Sequence, residues 1–177
     1  MVASDDEKGR ITLSLNGDHA AFESLIREYQ KMIHSLCYRM TGSMADSEDL
    51  AQETFIQAFR SLNTFRSESK FSSWLYRIAM NRCLNWKKAS IRRDELHKNW
   101  SEIPRDQSVE GAPAERVQEA LLTLDAKQRA AIILTVYEGL NHSEAARALG
   151  CAETTVSWRI FSARRKLKQM LKDVTGS

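Results

Sequence analysis

Ser143-Glu-Ala-Ala-Arg-Ala-Leu-Gly-Cys-Ala-Glu-Thr-Thr-Val-Ser-Trp-Arg-Ile160 carries two helical patterns with a break between them. The small residues Ala145 and Ala146 let another helix approach closely, Gly150 serves the turn, and Val156 and Ile160 give the second helix one anchoring face. The opposite face then stays free. It offers Thr154, Thr155, Ser157, Trp158, Arg159, Phe161, Arg164, Arg165 and Lys168, which combine hydrogen-bonding groups for base edges with cations for phosphates. A plain helical hairpin with a solvated basic side is the bland alternative, and turn chemistry together with charge favours a helix-turn-helix.

Upstream, Asn141-His-Ser-Glu144 is a capping signal for the first of these helices. Before it, Val117, Leu121, Leu122 and Leu124 begin a second body near Ala114. The pattern restarts at Asp125-Ala-Lys-Gln128, a capping arrangement, and runs through Ala130, Ile133, Leu134 and Tyr137 until Gly139 stops it. The final basic helix spans about Glu153 to Leu171. Between 99 and 113 the chain is polar, aperiodic and holds both prolines, Pro104 and Pro113, which predicts a flexible linker.

The first body rests on three helices. Phe22, Leu25, Ile26, Tyr29, Ile33, Leu36 and Cys37 share one stripe, capped near Asp18 and ended by Gly42. A second helix covers about Ser43 to Leu62, with Leu50, Phe55, Ile56, Phe59 and Leu62 as buried candidates and acid in its first turns, where it favours the helix dipole. Residues 63–70 read as a loop, and Phe71, Trp74, Leu75, Ile78, Ala79 and Cys83 open a third long helix. The polar N-terminal nine or so residues are expected to be unordered. The fold class is therefore all-α: two small helical domains, 10–98 and 114–175, joined by the linker 99–113.

A formal net charge of +3 conceals two basic segments. Residues 60–98 hold ten basic against three acidic residues, and 141–172 hold seven against two, one basic patch per body, as a polyanion partner requires. Cys37, Cys83 and Cys151 are odd in number and lie far apart, signalling neither a disulfide framework nor a zinc site. No secretory leader or run of roughly 20 apolar residues is evident, which predicts a cytoplasmic protein without membrane insertion.

In the first body, Phe65, Phe71, Trp74, Tyr76 and Trp86 alternate with Arg66, Lys70, Arg77, Arg82, Lys87 and Lys88, with Asn81 and Asn85 one turn apart. Aromatic faces stack on unpaired bases, cations follow a backbone and amides read base edges, so the mixture suits opened DNA. The competing reading makes Phe71, Trp74 and Ile78 core. Asp46, Glu48, Asp49 and Glu53 form an acidic helix face, suited to a basic protein partner; a divalent metal would need a second acidic helix, which the sequence lacks. The histidines are scattered, and no nucleophile-base pair or phosphate-cradling glycine loop occurs. No cofactor and no enzymatic activity are expected.

Four blocks in order resemble the extracytoplasmic-function (ECF) sigma factors of the sigma-70 family: Ala21-Phe-Glu-Ser-Leu-Ile-Arg-Glu-Tyr29, Asp46-Ser-Glu-Asp-Leu-Ala-Gln-Glu-Thr-Phe55, Phe65-Arg-Ser-Glu-Ser-Lys-Phe-Ser-Ser-Trp-Leu-Tyr-Arg-Ile-Ala-Met-Asn-Arg82, and Leu124-Asp-Ala-Lys-Gln-Arg129 leading to the helix-turn-helix. The resemblance covers about residues 18–171. It implies sigma region 2 in the first body and region 4 in the second. It implies docking on core RNA polymerase, on the clamp helices of the largest subunit through Asp46, Glu48, Asp49, Gln52 and Glu53, with the beta flap as a further polymerase contact. It implies minus 10 recognition and strand opening by Phe65, Arg66, Lys70, Trp74, Arg77, Asn81, Asn85, Lys87 and Lys88. The terminal helix would read the minus 35 duplex of promoter DNA through Thr154, Thr155, Ser157, Trp158, Arg159, Phe161, Arg164 and Arg165, and an anti-sigma factor would mask both bodies. Family members often carry Lys or Arg at the place of Ser157, Ser at that of Trp158, and Pro at that of Asp125. Two other readings compete: a stand-alone helix-turn-helix regulator, which needs dimer symmetry to match a palindrome, and an enzyme using a metal on the acidic helix.

Overall fold

The computed structural model describes residues 5–66, 69–97 and 113–175. The chain is all-α, with helices α1 (Asp5–Leu15), α2 (His19–Thr41), α3 (Met44–Ser61), α4 (Phe71–His97), α5 (Pro113–Leu122), α6 (Ala126–Ile132), α7 (His142–Leu149) and α8 (Glu153–Thr175). A 3-10 turn at Leu62–Thr64 follows α3, and a π-helical turn at Ile133–Tyr137 continues α6. The expected linker lies outside the described residues, except for Pro113, which opens α5.

Local chemistry sets the helix ends. The Asp18 carboxylate accepts the Ala21 N–H at 3.0 Å, and Gly42 closes α2 in the left-handed region at φ 74°, donating its N–H to the Tyr38 carbonyl. Ser43 caps α3. Asp125 caps α6 by accepting from the Lys127 N–H at 2.9 Å; the reciprocal partner expected of Gln128 is missing, because its amide turns instead to Ser162 Oγ at 2.9 Å. Asn141 and Glu144 complete a full capping box on α7.

The N-terminal helix corrects the expectation of an unordered start. Ile11 is buried, Tyr29 Oη donates to the Glu7 carboxylate, and Arg10 pairs with Glu28 at 2.7 Å. These pairings to α2 hold a segment too polar to announce itself by periodicity. Burial and the bond to Glu7 push the Tyr29 hydroxyl above its usual range.

In the first body, α2, α3 and α4 bury Leu25, Ile33, Leu36, Ala58, Leu75, Ala79 and Met80. Cys37 and Cys83 meet there with sulfurs 3.8 Å apart, and the hydrogen bond to Cys37, with burial, holds the Cys83 thiol above its ordinary range. In the second body, Val156, Ile160 and Ala163 of α8 pack with Ala130, Ala145 and Ala146, while Val117 proves exposed.

The two bodies share one hydrophobic core. Tyr76 of α4 donates to Glu138 Oε2 at 2.8 Å, and Arg39 of α2 stands 3.9 Å from Glu138 Oε1 with its guanidinium carbon 4.3 Å from the Tyr137 ring centre. Burial holds the Glu138 carboxyl above the usual carboxylate range despite both partners. Gln118 donates to the carbonyls of Tyr38 and Arg39. Arg129, 3% exposed, donates to the carbonyls of Leu121, Leu122 and Leu124 in its own body and of Met40 in the other.

Gly42 sits at this seam, where an added Cβ would lie 2.5 Å from Leu122 Cδ1; at Gly150, also left-handed, it would meet open space. Gly42→Ala therefore should cost about 2 kcal/mol and Gly150→Ala about 1 kcal/mol in urea unfolding. Equal losses would show that Leu122 makes room and that the seam adds nothing at Gly42.

Candidate nucleic-acid interface

Helix α3 turns Ser47, Leu50, Ala51, Thr54 and Ala58 inward, which leaves Glu48, Asp49, Gln52 and Glu53 exposed on its outer face, with Asp46 half-buried beside the Ser43 cap. The outer face does not end in acid. Ile56 and Phe59, expected in the core, are 51% and 45% exposed, because the core stripe passes instead through Thr54 and Ala58. Phe59 lies against Phe22 and His19 at ring separations of 5.1 and 5.6 Å. The face thus joins carboxylates to an apolar end, a pattern for a partner with basic and apolar groups side by side.

On α4, Arg77, Asn81, Asn85 and Lys88 are exposed at helical spacing and form one stripe, with Lys87 half-buried beside it. Arg82, which the sequence placed only among the cations, ties this helix to α3. It donates to Gln57 Oε1 at 2.8 Å and stands 3.7 Å from Glu53. Only the three-dimensional neighbourhood of Gln57 reveals this positioning role.

The aromatic residues form a cluster at the start of α4. The Phe65 ring meets Phe71 edge-on at 5.3 Å and Trp74 at 5.5 Å; Phe71 is buried, while Phe65 and Trp74 are half-buried. Arg66 and Lys70 are exposed on either side of residues 67 and 68, which lie outside the described residues.

The free face of α8 is as the sequence drew it in outline. Trp158 and Phe161 are 63% and 66% exposed, with Thr154, Ser157, Arg164 and Arg165 also exposed. Thr155 is half-buried, and Arg159 turns aside to donate to Cys151 Sγ at 3.4 Å. A groove of about 420 Å³ is lined by His142, Ser157, Ile160, Phe161, Arg164, Arg165 and Lys168. His142, isolated among the histidines in sequence, places its Nδ1 2.9 Å from Ser157 Oγ. Among the described residues, no three Asp, Glu, His or Cys side chains converge as a metal site, and no helix is long and apolar enough to cross a membrane.

Comparison with known proteins gives matches to the models of Sigma-70 region 2 over residues 25–93 and of Sigma-70, region 4 over residues 114–167. The ECF RNA polymerase sigma factor SigW of Bacillus subtilis is 32% identical, covering 94% of this chain and 97% of that protein. The ECF RNA polymerase sigma factor SigE of Mycolicibacterium smegmatis is 34% identical over 95% of this chain and 69% of its own length. Among solved structures, that of CnrH in complex with the cytosolic domain of CnrY contains a chain matching 96% of this one with a TM-score of 0.72 and 26% identity.

Because Trp158 and Arg164 touch little of the core, Trp158→Ala and Arg164→Ala should each change unfolding free energy by less than about 0.5 kcal/mol. Arg164→Ala should also lower the log–log salt slope of duplex DNA binding by about 1. An unchanged slope in titrations between low and moderate salt would take Arg164 out of phosphate contact.

Proposed function

The chain belongs to the ECF sigma factors of the sigma-70 family, alternative initiation factors that direct RNA polymerase to promoters, and on that premise we propose how its surfaces divide the work. The outer face of α3, with Asp46, Glu48, Asp49, Gln52 and Glu53 continued by Ile56 and Phe59, docks on the clamp helices of the polymerase's largest subunit. The start of α4 and its stripe, with Phe65, Arg66, Lys70, Trp74, Arg77, Asn81, Asn85, Lys87 and Lys88, meets the minus 10 element and holds its opened strand. The free face of α8 enters the minus 35 major groove. Residues 10–98 and 114–175 act as the two domains, the polymerase alone supplies the catalysis, the protein works in the cytoplasm, and an anti-sigma factor is a further partner.

One observation carries this reading: α3 and α4 pack through one core and Arg82 bridges their surfaces to Gln57 and Glu53, so that the acidic-apolar face and the amide-basic stripe stand on adjacent helices. Strand opening needs that coupling. Extruding a base costs a few kcal/mol, which a pocket offsets only if it is held rigidly against the machine that bends the duplex.

Run-off transcription with core polymerase on genomic fragments should yield protein-dependent start sites sharing two spaced upstream motifs; no such sites and no core binding would favour the stand-alone regulator. Glu48→Lys with Asp49→Lys, which spares the Glu53–Arg82 pair, should abolish co-purification with polymerase while the fold persists, and unchanged co-purification would sink the docking assignment. Asn81→Ala should leave holoenzyme assembly intact but cut permanganate reactivity of the opened thymines several-fold. Equal reactivity in the two proteins would remove Asn81 from strand opening.

A further inference from the structure

Ser157 lies on the exposed face of α8 with two partners inside the protein: its Oγ is 3.1 Å from the Glu153 carbonyl oxygen and 2.9 Å from His142 Nδ1. A hydroxyl has one proton and two lone pairs. If the proton goes to the Glu153 carbonyl, His142 Nδ1–H donates to Oγ. If the proton goes to a bare Nδ1, the oxygen keeps its lone pairs. In both arrangements the single proton has an acceptor within the protein, so that lone pairs can face the groove that Ser157 lines with Phe161, Arg164, Arg165 and Lys168.

From this accounting we infer that Ser157 reads an exocyclic amino group of the minus 35 duplex, adenine N6 or cytosine N4, and that His142, beside the Glu153 carbonyl, is a positioning residue that strengthens this choice. In the major groove adenine and cytosine alone present donors, whereas guanine and thymine edges offer acceptors and, on thymine, a methyl group. An unconstrained serine accepts either kind of base, because its hydroxyl rotates to suit. The Glu153 carbonyl and His142, at the start of α7, together bias the hydroxyl toward accepting. The helix before the reading helix thus contributes to the sign of the hydrogen bond the reading helix makes. The inference rests on the proposal that α8 enters the minus 35 groove.

The test uses holoenzyme assembled from the full chain on a promoter found by run-off transcription, with each minus 35 base pair replaced in turn and each adenine replaced by purine, which lacks the N6 amino group. Wild-type protein should lose roughly three- to tenfold in affinity when one particular amino group is removed, and Ser157→Ala should be indifferent to that change. His142→Ala, which leaves Ser157 with the Glu153 carbonyl as its one internal partner, should weaken the discrimination at that same position by about twofold or more, and unchanged discrimination would remove His142 from the reading. His142→Asn, whose amide can still donate to Oγ, should restore it. A preference for guanine or thymine at the Ser157-dependent position, or no such position at all, would overturn the inference while protein-dependent start sites persist. Absence of any such start site would instead remove the promoter-reading role itself, and the inference with it.

Discussion

Arg129 is the interaction on which the arrangement of the helices depends. A buried guanidinium has no neutral form to retreat to, so it must be met by acceptors, and here all four are backbone carbonyls. Desolvation lowers its proton affinity, and the Asp125 charge opposes that without contact. Three of the carbonyls terminate α5 and the turn after it; the fourth, of Met40, belongs to the last turn of α2. Helix ends carry partial negative charge, so one cation stabilises two of them at once. It fixes the α5–α6 corner and, through Met40, seats the second body on the first.

The seam around Arg129 is polar where it is fixed and apolar where it is filled. Tyr76, Glu138 and Arg39 form a small network in which burial raises both the tyrosine hydroxyl and the carboxyl above their ordinary ranges, while Leu122 packs into the space that Gly42 leaves. The π-helical turn at Ile133–Tyr137 precedes this network directly, and it delivers Tyr137 and Glu138 together to Arg39. The surfaces assigned to polymerase and to DNA lie elsewhere: exposed α3 and α4 residues on one body, the α8 face on the other.

What the sequence made legible was local. Asp18, Gly42, Asn141 with Glu144, and Gly150 announce their helix ends because each acts on backbone groups within about four residues. Val156 and Ile160 against exposed Trp158 and Phe161 follow from period alone. Illegible features depend on distant partners. Ile56 and Phe59 look like core by type, but the angular position of Thr54 and Ala58 rotates them out. Helix α1 has a weak stripe and is held by Glu7–Tyr29 and Arg10–Glu28 pairs that no periodicity encodes. Gln128 abandons its expected capping role for Ser162, 34 residues on. His142 gains meaning only beside Ser157, and Arg129 only beside Met40.

The shared core of the two bodies has a consequence for linkage. Elements centred near minus 10 and minus 35 are about 25 base pairs apart, on the order of 85 Å along a duplex at ~3.4 Å per pair. A compact chain of this length has a radius of gyration of about 16 Å. Contact with both elements as proposed would therefore require the bodies to part, at the expense of the seam at Arg129 and Tyr76–Glu138. On that proposal a partner that grips the bodies together would keep the seam and one that needs them apart would lose it, each 1.4 kcal/mol of seam being about tenfold in affinity.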